Sequence, residues 1–297
     1  MIIYHKADLD GYFSGALVKS IYTDEEMYGI DYNETIEDSV LDAEGILYVV
    51  DFSLPIRQMQ KYAGKMVWID HHRTAIEDSK KYGYSDILGI RDENYAACEL
   101  VYNYLYKQSN TVPMNMPAII KYVGNWDIHR TVGYDEWHAT EIVQLGLKYK
   151  YFSLCTDIDP LVRDLKWLLD HTDADIKNSI IYSNGNLLWW HQLTQNKALV
   201  KSAFEIKVDD KPALAIIGAV GSAVFDSVKD REQLWVVFNS VTPEKVKMSV
   251  YKDPNVFTDF NCGDYLKERY KGGGHPSAAG AYIDFDVFTD IVKSKEI

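Results

Sequence analysis

Short apolar runs that alternate with helix-like segments constrain the fold of this chain more than any other feature. Residues 1–4, 27–30, 46–50 and 66–69 are apolar runs of strand length. Segments with helical periodicity lie between and after them, at residues 11–22, 94–108, 116–124 and 135–150. Strands that alternate with helices are typical of a parallel sheet covered by helices. We therefore predict an α/β fold, with a parallel sheet flanked by helices, for the N-terminal part.

The pattern changes after residue 182. Leucines keep helical spacing from residue 160 to about 182, and the periodicity breaks around residues 184–186. Strand-like segments follow at residues 204–208, 213–217, 234–238 and 246–250, with helices near 222–228 and 262–270. We predict an N-terminal domain over residues 1–182, a linker over 183–201, and a smaller C-terminal mixed α/β domain over 202–297.

The charge balance excludes one class of function. The 297 residues include 31 Lys and Arg against 44 Asp and Glu, which gives a formal net charge of −13. A protein that binds long nucleic acid through a broad surface needs the opposite sign. An anionic substrate would therefore have to be held by something other than surface lysines.

The number of cysteines and the length of the apolar runs indicate the cellular compartment of the protein. Cys98, Cys155 and Cys262 are odd in number and show no CxxC spacing, which argues against a disulfide framework or a cysteine zinc site. No apolar stretch reaches the roughly 18 to 20 residues of a membrane span, and no signal peptide fits the N-terminus. We expect a cytoplasmic protein with no membrane partner, and the sequence leaves a homodimer open.

Carboxylates and histidines follow the predicted strands. Asp8 and Asp10 come after the first strand, Asp51 ends the third, and Asp70 with His71 and His72 ends the fourth. In an open parallel sheet, ligands bind beyond the carboxyl ends of the strands, so these segments should converge. An Asp-x-Asp pair alone is more often a turn or a helix cap. Carboxylates gathered in one crevice, however, need a cation to neutralise them.

The ligand types indicate which cation would bind. Aspartate and histidine without cysteine suit a hard or borderline divalent ion such as Mn²⁺ or Mg²⁺. Two such ions about 3.5 to 4 Å apart form a two-metal hydrolase site. The pattern therefore predicts a metal-dependent hydrolase.

Four motifs together resemble those of the DHH/DHHA1 phosphoesterases. They are the heptapeptide HKADLDG at residues 5–11, Asp51, the triplet DHH at 70–72, and the segment GGGHPSAAG at 272–280. That family includes RecJ exonucleases, oligoribonucleases that degrade short RNA and linear dinucleotides, and cyclic-dinucleotide phosphodiesterases. The resemblance implies a DHH catalytic domain that binds Mn²⁺ and a smaller DHHA1 domain that binds substrate.

The resemblance also implies roles for single residues. His5 and Asp8 would bind one metal, Asp10 and His71 the second, and Asp51 would bridge both. Asp127 best matches the family's fourth carboxylate, and Asp157 and Asp159 are less favoured alternatives. His72 matches the residue that faces the scissile phosphate, and Asp70 orients a neighbouring histidine. Together His72 and Asp70 are the predicted catalytic pair, while His129 and His138 are expected to be structural or exposed.

The glycine-rich segment would bind substrate. Consecutive glycines let the backbone approach a ligand and direct N–H groups at an anion, so Gly273 and Gly274 would contact phosphate and His275 would donate to it. Family members that trim short RNA carry an arginine late in the preceding strand, where this chain has Tyr251 followed by Lys252. We predict that Tyr251 contacts substrate by stacking on a base.

These residues predict a Mn²⁺-dependent phosphoesterase that hydrolyses phosphodiester bonds of short oligonucleotides or dinucleotides by a two-metal mechanism, with Mg²⁺ as an alternative ion. Two divalent ions would add four charges to −13, leaving −9, so the site can attract an anion although the chain is acidic. A phosphoanhydride hydrolase acting on polyphosphate or pyrophosphate would use the same metal ligands. A nucleotide-binding module without activity is the alternative of another class.

Overall fold

The computed structural model describes residues 1–32, 34–107, 116–130, 133–153, 157–228, 232–253 and 255–297. Cys155 lies outside the described residues. Contacts between Cα atoms divide the chain into two compact units, Met1–Trp189 and Trp190–Ile297. The predicted domain bounds of 182 and 202 stay a prediction.

A four-stranded parallel sheet forms the centre of the first unit. Its strands run in the order β2-β1-β3-β4, and each pairs in parallel with its neighbours. The strands are β1 (Ile2–His5), β2 (Met27–Ile30), β3 (Leu47–Val50) and β4 (Met66–Ile69). The predicted parallel sheet is confirmed, because all four apolar runs are strands.

The helices of this unit lie between and after the strands. They are α1 (Leu9–Ile21), α2 (Asp38–Leu41), α3 (Ile56–Tyr62), α4 (Arg73–Tyr82), α5 (Ala97–Tyr102), α6 (Ala118–Asp127), α7 (Tyr134–Lys148), α8 (Asp159–Asp170) and α9 (Asp173–Lys177). A 3₁₀ turn, Ala63–Lys65, precedes β4, and π-helical turns, Asn103–Lys107 and Tyr149–Ser153, extend α5 and α7.

Alternate residues of the strands belong to two separate cores. In β1, Ile2 and Tyr4 pack into the cluster that includes α1 and α6, while Ile3 packs into a second cluster on the other face. In β4, Ile69 lies in the first cluster and Trp68 in the second. Successive side chains of a strand point to opposite faces of the sheet. A sheet that is covered on both faces therefore requires strands in which every residue is apolar, without alternating polar residues.

The segment predicted to be a linker is helical. Helix α10 (Ile180–Val200) runs through residues 184–186, where the hydrophobic periodicity breaks. A Cβ atom on Gly185 would lie 1.9 Å from the carbonyl oxygen of Ile142, and one on Gly146 would lie 2.0 Å from that of Ile181. The two glycines thus let the backbones of α7 and α10 touch. This close crossing explains why a glycine stands inside a helix.

The second unit is built on a six-stranded mixed sheet. The strand order is β5-β6-β7-β8-β10-β9, with β6 and β7 parallel and the other pairs antiparallel. The strands are β5 (Phe204–Val208), β6 (Lys211–Ile217), β7 (Leu234–Ser240), β8 (Lys245–Tyr251), β9 (Gly273–His275) and β10 (Ala278–Asp284). The helical elements are a 3₁₀ helix (Ser222–Ser227), α11 (Cys262–Tyr270) and α12 (Phe285–Ser294).

The predicted fold class is confirmed, with a helix-flanked parallel sheet and a smaller mixed α/β unit. The sequence patterns did not predict α4, α12, β9 or β10. Within the described ranges, no helix has the length and apolarity needed to cross a membrane.

Candidate metal centre

The six predicted metal ligands lie together at the carboxyl-terminal edge of the parallel sheet. With His72 they form three overlapping groups in which the ligand atoms of each group all lie within 4.8 Å of one another. The groups are His5 with Asp8 and Asp51, Asp10 with His71 and Asp127, and Asp51 with His71 and His72. Asp51 and His71 each belong to two groups. The strand ends therefore converge as the sequence predicted.

His5 and Asp8 flank the start of α1. His5 is the last residue of β1, and its Nδ1 lies 3.2 Å from Asp8 Oδ2. Asp8 caps α1 by accepting the N–H of Gly11 at 3.0 Å. A Cβ atom on Gly11 would lie only 2.0 Å from the carbonyl oxygen of His5. The glycine of the HKADLDG motif thus lets α1 pack directly on the strand end that carries His5.

Asp10 is held by a helix that lies far along the chain. Its side chain is 2% exposed and accepts the backbone N–H groups of Ala97 and Cys98, both at 2.8 Å, at the start of α5. One of the same oxygens, Oδ2, lies 3.7 Å from His71 Nε2. The two amide bonds fix the carboxylate in the position where it faces His71.

Asp51 lies between the two predicted metal positions. Its Oδ2 is 3.4 Å from His5 Nδ1, and its Oδ1 is 3.4 Å from His71 Nε2. The residue is 1% exposed and has a left-handed backbone with φ of 52°. With one oxygen toward each histidine, Asp51 has the arrangement that a bridging carboxylate needs.

Asp127 is the last residue of α6 and approaches His71 from the helical side. Its Oδ2 lies 3.4 Å from His71 Nε2. Asp157 and Asp159 were the alternative candidates for the fourth carboxylate. Neither of them belongs to any of the three groups that the described residues form. Asp157 Oδ1 instead accepts the N–H of Asp159 at the start of α8.

Asp70 serves His72. Asp70 is fully buried, and its Oδ1 accepts the backbone N–H groups of His71 and His72 at 2.8 and 3.1 Å. The same oxygen lies 2.7 Å from His72 Nδ1, and Oδ2 accepts the indole N–H of Trp68 at 3.3 Å. With both oxygens in use, Asp70 orients His72 and stays out of the three groups. His129 and His138 lie outside these groups too, and His138 packs edge-on against Trp189.

The charges in the site shift the proton affinities of its members. Burial would lower the pKa of His5, but Asp51 and Asp8 outweigh it and raise that pKa to about 10. Burial is likewise outweighed at His71, where Asp51 and Asp10 raise the pKa to about 10. Burial and the charge of Asp51 raise the pKa of Asp127 to about 7. Protonated His5 and His71 supply part of the positive charge that the carboxylates require, while protonation of Asp127 removes a negative charge.

Several buried atoms of the site have no hydrogen-bond partner. His5 Nδ1, His5 Nε2 and Asp51 Oδ1 are buried and make no hydrogen bond, although an ionisable partner lies 3.2, 3.6 and 3.4 Å from them, respectively. Buried polar atoms are nearly always paired, and such exceptions are typical of functional sites. Two histidines and four carboxylates without a cysteine form a donor set for a divalent cation such as Mn²⁺ or Mg²⁺. The residues present therefore fit the predicted metal.

Sequence analysis missed two residues at the same edge. Asp31 and Tyr32 follow β2, and Asp31 Oδ1 lies 3.6 Å from His5 Nε2. The hydroxyl group of Tyr32 lies 3.3 Å from His72 Nε2. Their signal was the one that identified the other ligands, a polar residue directly after an apolar run, but β2 is the weakest of the four runs.

The predicted substrate residues lie in the second unit, where Tyr251 and His275 share one row across the sheet. Tyr251 of β8 pairs with Ala278 of β10, and Ala278 pairs with His275 of β9. Paired residues of antiparallel strands point to the same face, so Tyr251 and His275 flank the small Ala278. His275 is exposed. Lys252, which follows Tyr251, is buried, and its Nζ donates to the backbone carbonyl groups of Val256 and Phe257.

The glycine-rich segment is partly a strand, where the sequence predicted a loop. Gly273 pairs with Gly280, and Gly274 pairs with Ala279. Gly274 has φ of 146°, and a Cβ atom there would lie 2.6 Å from the carbonyl oxygen of Ala278. Gly274 is therefore required for the close pairing of β9 with β10, whatever else it contacts.

Comparison with known proteins agrees with this arrangement. Residues 1–124 match the model of the DHH family, N-terminal domain. The N-terminal part of the chain thus carries a DHH-family domain. Phosphoesterases of this family are metal-dependent phosphohydrolases. A search of curated proteins gave no match.

Two solved structures show the same DHH-type fold over the whole chain. One is the pGpG-specific phosphodiesterase PggH from Vibrio cholerae, with a TM-score of 0.58 and 13% identity over 99% of this chain and 96% of that one. The other is the DHH domain of a member of the s1p family of ribosomal proteins, with a TM-score of 0.59 and 14% identity over 99% of this chain and 84% of that one. At these identities the similarity concerns the fold.

Proposed function

We propose that this DHH-family protein is a Mn²⁺-dependent phosphodiesterase that hydrolyses dinucleotides and short oligonucleotides. The observation that carries the proposal is the buried cluster around Asp51, in which two overlapping groups share one carboxylate and three buried atoms make no hydrogen bond. The pGpG-specific phosphodiesterase PggH, which has the same fold over 96% of its length, supports a small phosphodiester substrate.

Each ligand has a proposed position. His5 and Asp8 would hold one ion, Asp10, His71 and Asp127 the other, and Asp51 would contact both. Divalent ions at these positions would polarise the phosphoryl oxygens and lower the pKa of a coordinated water. Mg²⁺ is the alternative ion, because the same oxygen and imidazole donors accept it.

The remaining residues of the site have proposed roles that need no bound ion. His72 would face the scissile phosphate through Nε2, because Asp70 occupies its Nδ1 side at 2.7 Å. Asp70, fully buried and fixed by two backbone N–H groups, would keep the imidazole in one tautomer and one orientation. A donor fixed in this way costs no reorganisation when charge develops on the phosphate.

The predicted C-terminal domain, residues 202–297, would bind substrate as a DHHA1 domain. His275 and the backbone of Gly273 and Gly274 would contact phosphate, and Tyr251 would stack on a base. The register supports this assignment, because Tyr251 and His275 share one face with only Ala278 between them. His275 is exposed and Tyr251 is half-buried against the cluster that contains Trp235, so a small residue lies between one free ring and one seated ring, an arrangement that suits a flat ligand.

Product analysis after metal removal tests the proposed function. The protein is stripped with a chelator, and pGpG, pApA, a cyclic dinucleotide, a 20-nucleotide RNA and polyphosphate are supplied with Mn²⁺, Mg²⁺ or no metal. We expect nucleoside monophosphates from the dinucleotides with Mn²⁺ and none without a divalent ion. Release of free phosphate from polyphosphate alone would indicate a phosphoanhydride hydrolase. Nucleotide binding without turnover under any condition would indicate a binding module.

A further inference from the structure

Tyr32 lies at the edge of the candidate metal centre and contacts His72. It follows β2, and its hydroxyl oxygen is 3.3 Å from His72 Nε2. The residue is 52% exposed, so one side of the ring faces solvent beside the site. The family motifs that the sequence carries do not include this tyrosine.

The ring of Tyr32 is seated on fixed parts of the site. Its centroid lies 5.0 Å from that of Phe52 and 5.0 Å from that of His5. Phe52 is 4% exposed and follows Asp51, and His5 is 6% exposed at the end of β1. Aromatic pairs at this separation gain energy beyond their buried area. The phenol hydroxyl is therefore presented to His72 by two buried rings.

The two nitrogens of His72 have different partners. Nδ1 lies 2.7 Å from Asp70 Oδ1, and an ionised carboxylate only accepts, so Nδ1 carries the hydrogen. Nε2 is the nitrogen on the Tyr32 side. The phenol O–H donates to Nε2 of a neutral imidazole, whereas in the imidazolium both nitrogens carry a hydrogen and Nε2 donates to the phenol oxygen. Contacts at both nitrogens restrict rotation of the ring about its χ angles.

We propose that Tyr32 is a positioning residue for His72, holding Nε2 from one side while Asp70 holds Nδ1 from the other. The inference rests on the proposed function, in which His72 meets the scissile phosphate. A phosphate oxygen only accepts, so it bonds to the N–H at Nε2 of the imidazolium, where it replaces the phenol and finds the imidazole already in its binding orientation. Ordering the side chain in advance removes an entropy cost from substrate binding.

Histidine NMR tests the contact without any activity. Protein labelled with ¹⁵N-histidine is compared, metal-free, as wild type, Tyr32→Phe and His72→Gln, the last variant serving to assign the His72 signals. We expect Tyr32→Phe, which keeps the ring and removes the hydroxyl group, to shift the Nε2 resonance of His72 and leave that of the exposed His191 in place. An unshifted His72 resonance would overturn the proposal.

Kinetics test whether the contact matters for catalysis. Because a neutral hydrogen bond contributes roughly 0.5 to 1.5 kcal/mol, Tyr32→Phe should lower kcat/KM for pGpG by roughly 2- to 10-fold. The loss should disappear in a His72→Gln background, and Mn²⁺ stoichiometry by calorimetry should stay unchanged. Tyr82→Phe on α4, 40% exposed, is the matched control. An equal loss in both backgrounds would show that Tyr32 acts without His72.

Absence of turnover in the wild type would instead contradict the proposed function, and the NMR comparison would still decide whether Tyr32 contacts His72.

Discussion

At the residue scale, Asp51 combines a buried carboxylate with a backbone that most residues avoid. Its φ of 52° is in the left-handed region, where Asn and Asp are the best tolerated residues other than Gly. This conformation follows a fully buried strand and turns the side chain toward both His5 and His71. Asn is therefore the substitution that removes the charge with the least effect on the backbone.

Asp51→Asn should abolish turnover while the fold survives. We expect kcat/KM to fall by at least on the order of 100-fold, because electrostatic stabilisation at the reacting phosphate depends on the ions that Asp51 would contact. Calorimetry should show weakened or lost Mn²⁺ binding, and circular dichroism should be unchanged. Asp157→Asn, an exposed carboxylate outside the three groups, is the control. Activity near that of the wild type would remove Asp51 from the site.

At the element scale, an ion pair between the buried Glu99 and the half-buried Arg130 fixes the end of α6, where Asp127 lies. Glu99 of α5 is 2% exposed, and its two oxygens accept both terminal nitrogens of Arg130 at 2.9 Å each. One oxygen also accepts the N–H of Ala96 at the start of α5. A Cβ atom on Gly124 would lie 2.7 Å from the Glu99 carboxyl carbon, so α6 packs directly on this pair. Glu99 and Arg130 thus join two helices that carry or fix metal-site residues.

Arg130→Met should destabilise the protein by about 3 to 5 kcal/mol, because it leaves the buried Glu99 charge without its partner. Urea unfolding measures the change. The surface pair Arg73 and Glu77 is the control, since both are mostly exposed and Arg73→Ala should leave the free energy of unfolding nearly unchanged. The double variant Arg130→Met with Glu99→Gln should recover part of the loss. If Arg130→Met and Arg73→Ala had the same free energy of unfolding, the structural role of the Glu99 and Arg130 pair would be contradicted.

The crossing of α7 and α10 is a second element-scale feature that can be tested. Gly185→Ala would place a Cβ atom 1.9 Å from the carbonyl oxygen of Ile142, so the helices must separate. We expect a loss of about 1 to 3 kcal/mol or more, as for other overpacked sites, measured by thermal and urea unfolding. Gly64→Ala meets nothing within 4 Å and is the control, expected to change stability by less than about 1 kcal/mol. A neutral Gly185→Ala variant would argue against the close crossing.

At the scale of the whole molecule, the net charge of −13 limits the length of substrate that can be held. Binding of long nucleic acid draws its energy from many phosphate contacts to basic side chains. We therefore expect kcat/KM to be highest for dinucleotides and not to rise as oligomers lengthen toward about 20 nucleotides. Labelled oligomers of graded length, assayed at fixed salt, measure this. A steady rise with length and a steep salt dependence would favour an exonuclease that tracks along its substrate.

Tyr251 provides an independent test of the proposal that the substrate is a nucleotide. If its ring stacks on a base, Tyr251→Ala should weaken nucleotide substrates by about 1 to 3 kcal/mol in kcat/KM, while Tyr251→Phe keeps most of the contact. Polyphosphate has no base to stack, so any residual hydrolysis of it should not change. A uniform loss for all substrates would indicate that Tyr251 supports the sheet between Trp235 and Ala278 and does not contact substrate.

The amino-acid sequence by itself determined the parallel sheet and the convergence of Asp8, Asp10, Asp51 and His71 at its edge. Both follow from local rules, because apolar runs of strand length define the strands and the carboxyl ends of parallel strands share one edge. The sequence also indicated Asp127, but only through the family resemblance, since no local pattern relates the end of α6 to that edge.

Only the tertiary structure decided how these groups are held. Asp10 is fixed by backbone N–H groups 87 and 88 residues away, and Tyr32 meets His72 across 40 residues. The break in periodicity at residues 184–186 is a helix crossing, because the partner of Gly185 is the carbonyl group of Ile142. The glycine-rich segment is a strand because β10 pairs with it. In each case the deciding contact lies between residues distant in the chain, and local propensity and periodicity do not depend on such contacts.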